Sequence, residues 1–173
     1  VPKVYLMSGR TGAGKTVLSK QMATEKRAFR ISHDEWLRKI YGAVIQEENF
    51  SETCDNVSEL IWVQVEALCE LGVSVILEGW GSRILRDKAR KKLEALHIDF
   101  EFIFVECPAD ERWLRVQKRN QSAGEEGFHI SKEDFDRMES IREEFDDDEP
   151  VTVIDNSGHN LSLPASGRRS PQL

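Results

Sequence analysis

Eight consecutive residues, Gly9-Arg10-Thr11-Gly12-Ala13-Gly14-Lys15-Thr16, follow the spacing G-x-x-x-x-G-K-[ST]. Gly9, Gly12 and Gly14 allow the backbone to curl so that successive N–H groups, those of Thr11 and Ala13 among them, converge on an anion. Lys15 carries a cation long enough to reach β- and γ-phosphates. The Thr16 hydroxyl supplies an oxygen for Mg²⁺. The chemistry implied is the binding of a nucleoside triphosphate with its metal.

Such a loop works only where a strand delivers it and a helix begins at its end. Val4-Tyr5-Leu6-Met7 reads as the buried strand. Val17 to Lys26 has helical composition, so a helix starting near Lys15 adds the positive end of its dipole. Further apolar runs at 28–32, 73–77, 100–105 and 151–154 read as strands, with helical patterns between them. Strands alternating with helices predict an α/β fold, a parallel sheet covered on both faces. The helix over 57–71 places Val57, Leu60, Ile61, Val65, Leu68 and Cys69 in an apolar stripe. A helix capped by Ser82 places Ile84, Leu85, Ala89, Leu93 and Leu96 likewise. Helices are also predicted over about 108–120 and over 131–145, with a loop from Gln121 to His129.

In open α/β sheets, ligands bind beyond the carboxyl ends of the strands. The second strand delivers Asp34 there, a carboxylate able to take a proton from an acceptor hydroxyl. Its alternative role is capping the helix 35–41, which Ser32 can do equally well. The third strand delivers Glu78 at the usual position of the Walker-B acid. It can hold Mg²⁺ through water, bind substrate, or pair with Arg83 or Arg86. His33 is placed to line an acceptor pocket. Trp80 is placed to do so too, or to pack ordinarily. Arg115 and Arg119, four apart, project from one helical face just before a Gly/Glu-rich loop. This is the layout of a lid, about 115–130, that brings arginines over a triphosphate. Arg112, Glu111 and Lys118 are neighbours that fit an ordinary charged surface. The basic run Arg83 to Lys92 reads as a solvated helix face, with Arg83 and Arg86 near enough to the helix start to touch an anionic acceptor. The acidic run 143–149 reads as a solvated helix end and loop.

The length of 173 residues suits one domain, expected over 1–158 with a flexible tail over 159–173. Hydrophobic content of 39% and charged content of 32% suit a soluble globular protein. The net charge of -7 lowers the expectation of a partner held by its nucleic-acid phosphates. Cys54, Cys69 and Cys107 have neither disulfide-framework nor zinc spacing, and Cys69 and Cys107 are expected as reduced thiols near the core. The four histidines lack metal-ligand spacing. No run has the length of a membrane span, and the first residues enter a strand without room for a signal peptide. A cytoplasmic monomer is the default expectation.

The loop at 9–16, Ile31-Ser-His-Asp-Glu-Trp36 and Trp113-Leu-Arg-Val-Gln-Lys-Arg-Asn120 together resemble the small P-loop kinases of the zeta-toxin, chloramphenicol-phosphotransferase and polynucleotide-kinase type. The resemblance spans roughly residues 3–158. It implies a P-loop three-layer sandwich with a five-stranded parallel sheet in the order 2-3-1-4-5, a small lid, and ATP as donor. It implies that Asp34 is the base and that Arg115 and Arg119 clamp phosphates or stack on adenine. The segment Asp155 to Gly158, with Asn156, would border the base. Glu78 stands where the group more often has Asp. Three functions remain open: an ATP-dependent phosphotransferase acting on a hydroxyl of a small molecule, a polynucleotide 5′-hydroxyl kinase, and a nucleotide-binding switch with little catalysis.

Overall fold

The apolar runs pair into one sheet because each is long enough to be buried on two faces. The computed structural model describes residues 1–42, 50–121, 129–141 and 143–158. Strands β1 (Lys3–Gly9), β2 (Phe29–Ser32), β3 (Val75–Glu78), β4 (Asp99–Glu106) and β5 (Val151–Asp155) lie in the order β2-β3-β1-β4-β5. All four pairings are parallel. The described helices are α1 (Lys15–Lys26), α2 (His33–Tyr41), α3 (Phe50–Glu70), α4 (Arg83–Ala95), α5 (Ala109–Gln121) and α6 (Lys132–Ser140). The α/β class and the strand order are those expected.

Side chains alternate across each strand and build two cores. Val4 and Leu6 of β1 join Ile31, Leu77 and Phe102 beneath α3 and α4. Met7 joins Ile76, Ile103 and Val105 beneath Leu18 and Met22 of α1. Register brings the strand ends level: Ser32 lies beside Glu78, Glu78 beside Met7, Ser8 beside Phe104, and Glu106 beside Asp155. Everything that follows a strand therefore meets at one edge.

Three helix expectations are corrected. In α3 the buried stripe is Val57, Ile61, Val65 and Cys69, and Leu60 faces outward. In α4 it is Arg86, Ala89 and Leu93, while Ile84, Leu85 and Leu96 are exposed. An arginine sits in that stripe because a buried carboxylate meets it. The helix predicted over 131–145 stops at Ser140, with Ile141 as its C-cap. Carboxylates are unfavourable at a helix C-terminus, and residues 143–149 find cationic partners elsewhere. Segments 43–49 and 122–128, most of the expected lid loop, and the tail 159–173 lie outside the described residues. Among the described residues no helix is long and apolar enough to cross a membrane.

Candidate active site

Gly9 closes β1 and Lys15 opens α1, with Gly14 as the left-handed N-cap. The turn between is tightened by Ala13 N–H donating to the Arg10 carbonyl at 3.1 Å. At Gly12 φ is +80°, and a Cβ would stand 2.5 Å from the Arg112 carbonyl oxygen. Both the conformation and the approach of α5 therefore require glycine there. The Lys15 ammonium donates to the carbonyls of Gly9 at 2.8 Å and Arg10 at 3.1 Å. Burial lowers the Lys15 pKa, the fields of Asp34 and Glu78 oppose that, and those of Arg112 and Arg119 add to it. Two carboxylates and two guanidiniums thus act through their fields on the cation that the sequence assigns to phosphate.

Glu78 is buried. Its Oε2 accepts from Thr16 Oγ1 at 3.2 Å. Its Oε1 accepts from Arg30 Nε at 2.5 Å and from the Ser19 hydroxyl. The expected alternative partners, Arg83 and Arg86, are not used; Arg30 is. Arg30 also makes a two-pronged pair with Glu35 at 2.9 and 2.6 Å, which holds the Glu35 pKa below its ordinary value. An arginine in the middle of a short strand, between Phe29 and Ile31, was the sequence signal for such a partner. The two carboxylate oxygens divide the work: Oε1 is neutralised by Arg30, and Oε2 faces the loop threonine.

Ser32 caps α2, its hydroxyl accepting from Glu35 N–H at 3.4 Å. Asp34 is therefore not needed as the cap, and its side chain is 81% exposed. His33 turns away. Its Nε2 sits 3.2 Å from both the Cys54 carbonyl and Ser58 Oγ. Its ring meets Trp80 edge-on at 6.2 Å. Trp80 is buried in the α3-side core against Trp62, so packing is its role. Gly79, at φ +125°, lets the chain pass over His33, whose Cβ would be 2.9 Å from an added Cβ.

Helix α5 lies along the loop. Arg115 donates to the Ala13 carbonyl at 3.4 Å, the Asn156 carbonyl at 2.8 Å and Glu111 at 2.6 Å. Burial lowers the Arg119 pKa. Asn156 is buried, and its amide donates to the Ala13 carbonyl at 2.6 Å. Its side chain braces the loop. Arg112, which the sequence placed among surface charges, is 1% exposed. It donates to the Cys107 carbonyl at 2.8 Å, to the Thr11 carbonyl at 3.3 Å and twice to Glu139 at 2.7 Å. Arg10 donates to the same Glu139 at 2.8 Å and to Glu144 at 2.8 Å. Glu139 of α6 thus ties both ends of a clamp around the loop's first half. The one local signal for Arg112 was its spacing of four from buried Val116 on the same face.

The basic and acidic runs neutralise each other. Arg86 and Glu149 have fully buried side chains and make a two-pronged pair at 2.8 Å. Arg83 takes Asp87, Asp146 and Asp148, and Arg90 reaches Glu149. Residues 143–149 are therefore a strap over the start of α4, and neither Arg83 nor Arg86 is available to an anionic acceptor.

Among the described residues, two cavities border the loop. One, about 400 Å³, lies at the ends of β4 and β5, where Glu106, Cys107, Asp155 and Ser157 face Arg10 and Arg112. The other, about 250 Å³, lies between Gly9-Arg10-Thr11, Gly81-Ser82 and the tip of α6.

A family model described as AAA domain matches residues 4–145. The chain belongs to the AAA domain family. This AAA domain is similar to a candidate kinase from Chloroflexus aurantiacus J-10-fl, with 19% identity, a TM-score of 0.72, and 90% of this chain and 89% of that one covered. It is similar to a sugar kinase from Janibacter sp. HTCC2649, with 21% identity, a TM-score of 0.59, and 90% and 86% covered. It is also similar to the Mycobacterium tuberculosis APS kinase CysC in complex with AMPPNP and APS, with 18% identity, a TM-score of 0.58, and 89% and 88% covered. These likenesses establish a shared P-loop kinase fold. No curated protein matches the chain.

Proposed function

We propose that this AAA domain is an ATP-dependent phosphotransferase that moves the γ-phosphoryl group to a hydroxyl of a small molecule. The observation that carries the reading is Asp34: an exposed carboxylate, freed from capping by Ser32, whose field is felt by the loop lysine. A nucleotide-binding switch has no need of such a group.

In this reading Gly9 to Thr16 cradle the triphosphate and Lys15 exchanges the carbonyls of Gly9 and Arg10 for β- and γ-phosphate oxygens. Asp34 accepts the acceptor's proton as its oxygen bonds to the γ-phosphorus. The bond from that phosphorus to the β-phosphate oxygen breaks, and ADP leaves. Arg115 and Arg119, on the α5 face against the loop, neutralise charge on the moving group once Arg115 releases its carbonyl partners. Asp155 and Ser157 border the larger cavity, which suits the nucleoside. Thr16 Oγ1 and Glu78 Oε2, 3.2 Å apart, fit Mg²⁺, which takes one or two protein oxygens and completes its shell with phosphate and water. Among the described residues no cluster of three or more ligating side chains offers a dedicated cage. Bound there, the ion would offset phosphate charge. The free thiols Cys54, Cys69 and Cys107 suit the reducing cytoplasm.

The test is transfer of labelled γ-phosphate from ATP–Mg²⁺ into fractionated small-molecule extract, with a 5′-hydroxyl oligonucleotide in parallel. Label is expected in a small-molecule fraction, reduced roughly 10²–10⁴-fold in Asp34→Asn with ATP affinity unchanged. Label in free phosphate alone, equal in both proteins, would sink Asp34 as base and favour a hydrolase or switch. Label in the oligonucleotide would move the assignment to nucleic-acid ends.

A further inference from the structure

We infer that the smaller cavity, between Gly9-Arg10-Thr11 and the tip of α6, is the acceptor pocket and selects an uncharged, mostly apolar alcohol of about one ring. The inference rests on the phosphotransferase reading for the word acceptor, and on the cavity itself for the ligand class.

Position comes first. The cavity is lined by the carbonyl-bearing residues Gly9 and Arg10 on which the Lys15 ammonium rests, at 2.8 and 3.1 Å. A loop lysine marks the terminal-phosphate end of a bound triphosphate. The space beside it is where an acceptor oxygen must arrive. Gly81 and Ser82 complete that side, three and four residues beyond Glu78. The field of Asp34, in the first turn of α2, acts on the same ammonium.

Lining decides the class. Phe104, Phe145, Met138 and Ile141 give the walls an apolar character. The charged groups there are Glu139, Glu143 and Arg10, and Arg10 is held by Glu139 and Glu144 at 2.8 Å. A phosphate or carboxylate on the acceptor would meet carboxylates and an already neutralised cation. Among the described residues Ser8 is 6% exposed and lines the cavity, and its buried hydroxyl oxygen has no hydrogen-bond partner. A buried hydroxyl of this kind carries a desolvation cost that a ligand's polar atom removes. At about 250 Å³ the cavity is at or below the small end of ligand sites. The other polar side chains of the lining, Arg10, Thr11, Ser82, Glu139 and Glu143, are already engaged, and one unpartnered hydroxyl among them describes a small alcohol better than a sugar, whose several hydroxyls would need several partners.

The chain has three methionines, which makes the test specific. Met138 lines the cavity, while Met7 and Met22 are buried on the α1 side and serve as internal controls. The full chain with ¹³C-methyl methionine is titrated with 2-phenylethanol, ethylbenzene, 2-phenylethyl phosphate and glucose, with saturating ADP–Mg²⁺ present so that the loop's own anion site is filled. Saturable movement of the Met138 methyl alone is expected with 2-phenylethanol, at a Kd on the order of 1 mM for so small a ligand. Ser8→Ala should weaken 2-phenylethanol roughly fivefold to tenfold and leave ethylbenzene unchanged. The phosphate ester should bind at least tenfold more weakly than the alcohol, by the like-charge argument. Ile141→Glu, at a position 72% exposed and so tolerant of charge, should abolish binding of the alcohol. No Met138 movement with the alcohol, or stronger movement with the phosphate ester or glucose, overturns the inference. Because binding is read without turnover, absent label transfer would sink the proposed function alone, and a still Met138 would sink this pocket alone.

Discussion

Replacing Glu149 with Gln tests whether the acidic run is structural. The carboxylate is fully buried, as is the Arg86 guanidinium that meets it twice at 2.8 Å. Gln keeps the shape and removes the charge. Arg86 would keep one hydrogen bond to the amide oxygen, the Gly81 carbonyl at 2.5 Å, the Glu144 carbonyl at 2.9 Å and the Phe145 face at 4.1 Å, and would lose its buried counter-charge. Carbonyl dipoles and a ring quadrupole offset part of a buried cation, not all of it. Removing one partner of a buried pair costs about 3–5 kcal/mol, a large share of the roughly 5–15 kcal/mol that holds a domain folded. At about 2–4 °C per kcal/mol for this size, Tm should fall on the order of 6–20 °C. Urea and thermal unfolding of the single variant and of Arg86→Met/Glu149→Leu would be run together. The double variant removes both charges and should recover most of the loss. A single variant within about 1 kcal/mol of wild type would refute the buried-pair reasoning. A double variant as unstable as the single would show that geometry, not charge, holds the strap.

Gly12→Ala should cost roughly 1–3 kcal/mol and weaken ATP binding, because φ is +80° and the Arg112 carbonyl stands 2.5 Å from the new methyl; thermal unfolding and nucleotide titration check both. Glu35, Glu139 and Glu149 are held below the ordinary carboxylate range chiefly by hydrogen bonds from Arg30, Arg112 and Arg86 respectively. Their contribution is thus complete above about pH 4.5 and lost as pH falls through the depressed folded values; Tm should be level from pH 7 to about 5 and drop below it, and a rise on acidification would contradict the pairings. Arg83, Arg86 and Arg90 are matched by the strap's own carboxylates, so a 5′-hydroxyl oligonucleotide should bind more weakly than about 100 µM at physiological salt. Micromolar binding with a steep salt slope would reverse that reading.

The sequence by itself determined the phosphate loop, the alternation of strands and helices, and the level at which Asp34 and Glu78 emerge. These are local matters: spacing of glycines, β-branched runs, a serine able to cap. Backbone hydrogen bonding turns such patterns into elements wherever they occur, and parallel pairing then brings their ends to one edge. Tertiary structure decided which charges meet. Arg30 and Glu78 are 48 residues apart, Arg86 and Glu149 are 63 apart, and Arg112 and Glu139 are 27 apart. Any arginine can pair with any carboxylate, so residue type carries no register for these contacts. Helical periodicity misled for the same reason. It assigns charged residues to solvent, whereas burial with a matched partner is open to an arginine once packing supplies the carboxylate. The apolar cavity beside the loop is likewise a product of packing, since Ser8, Phe104, Met138 and Phe145 are adjacent only after β1, β4, α6 and the strap have docked.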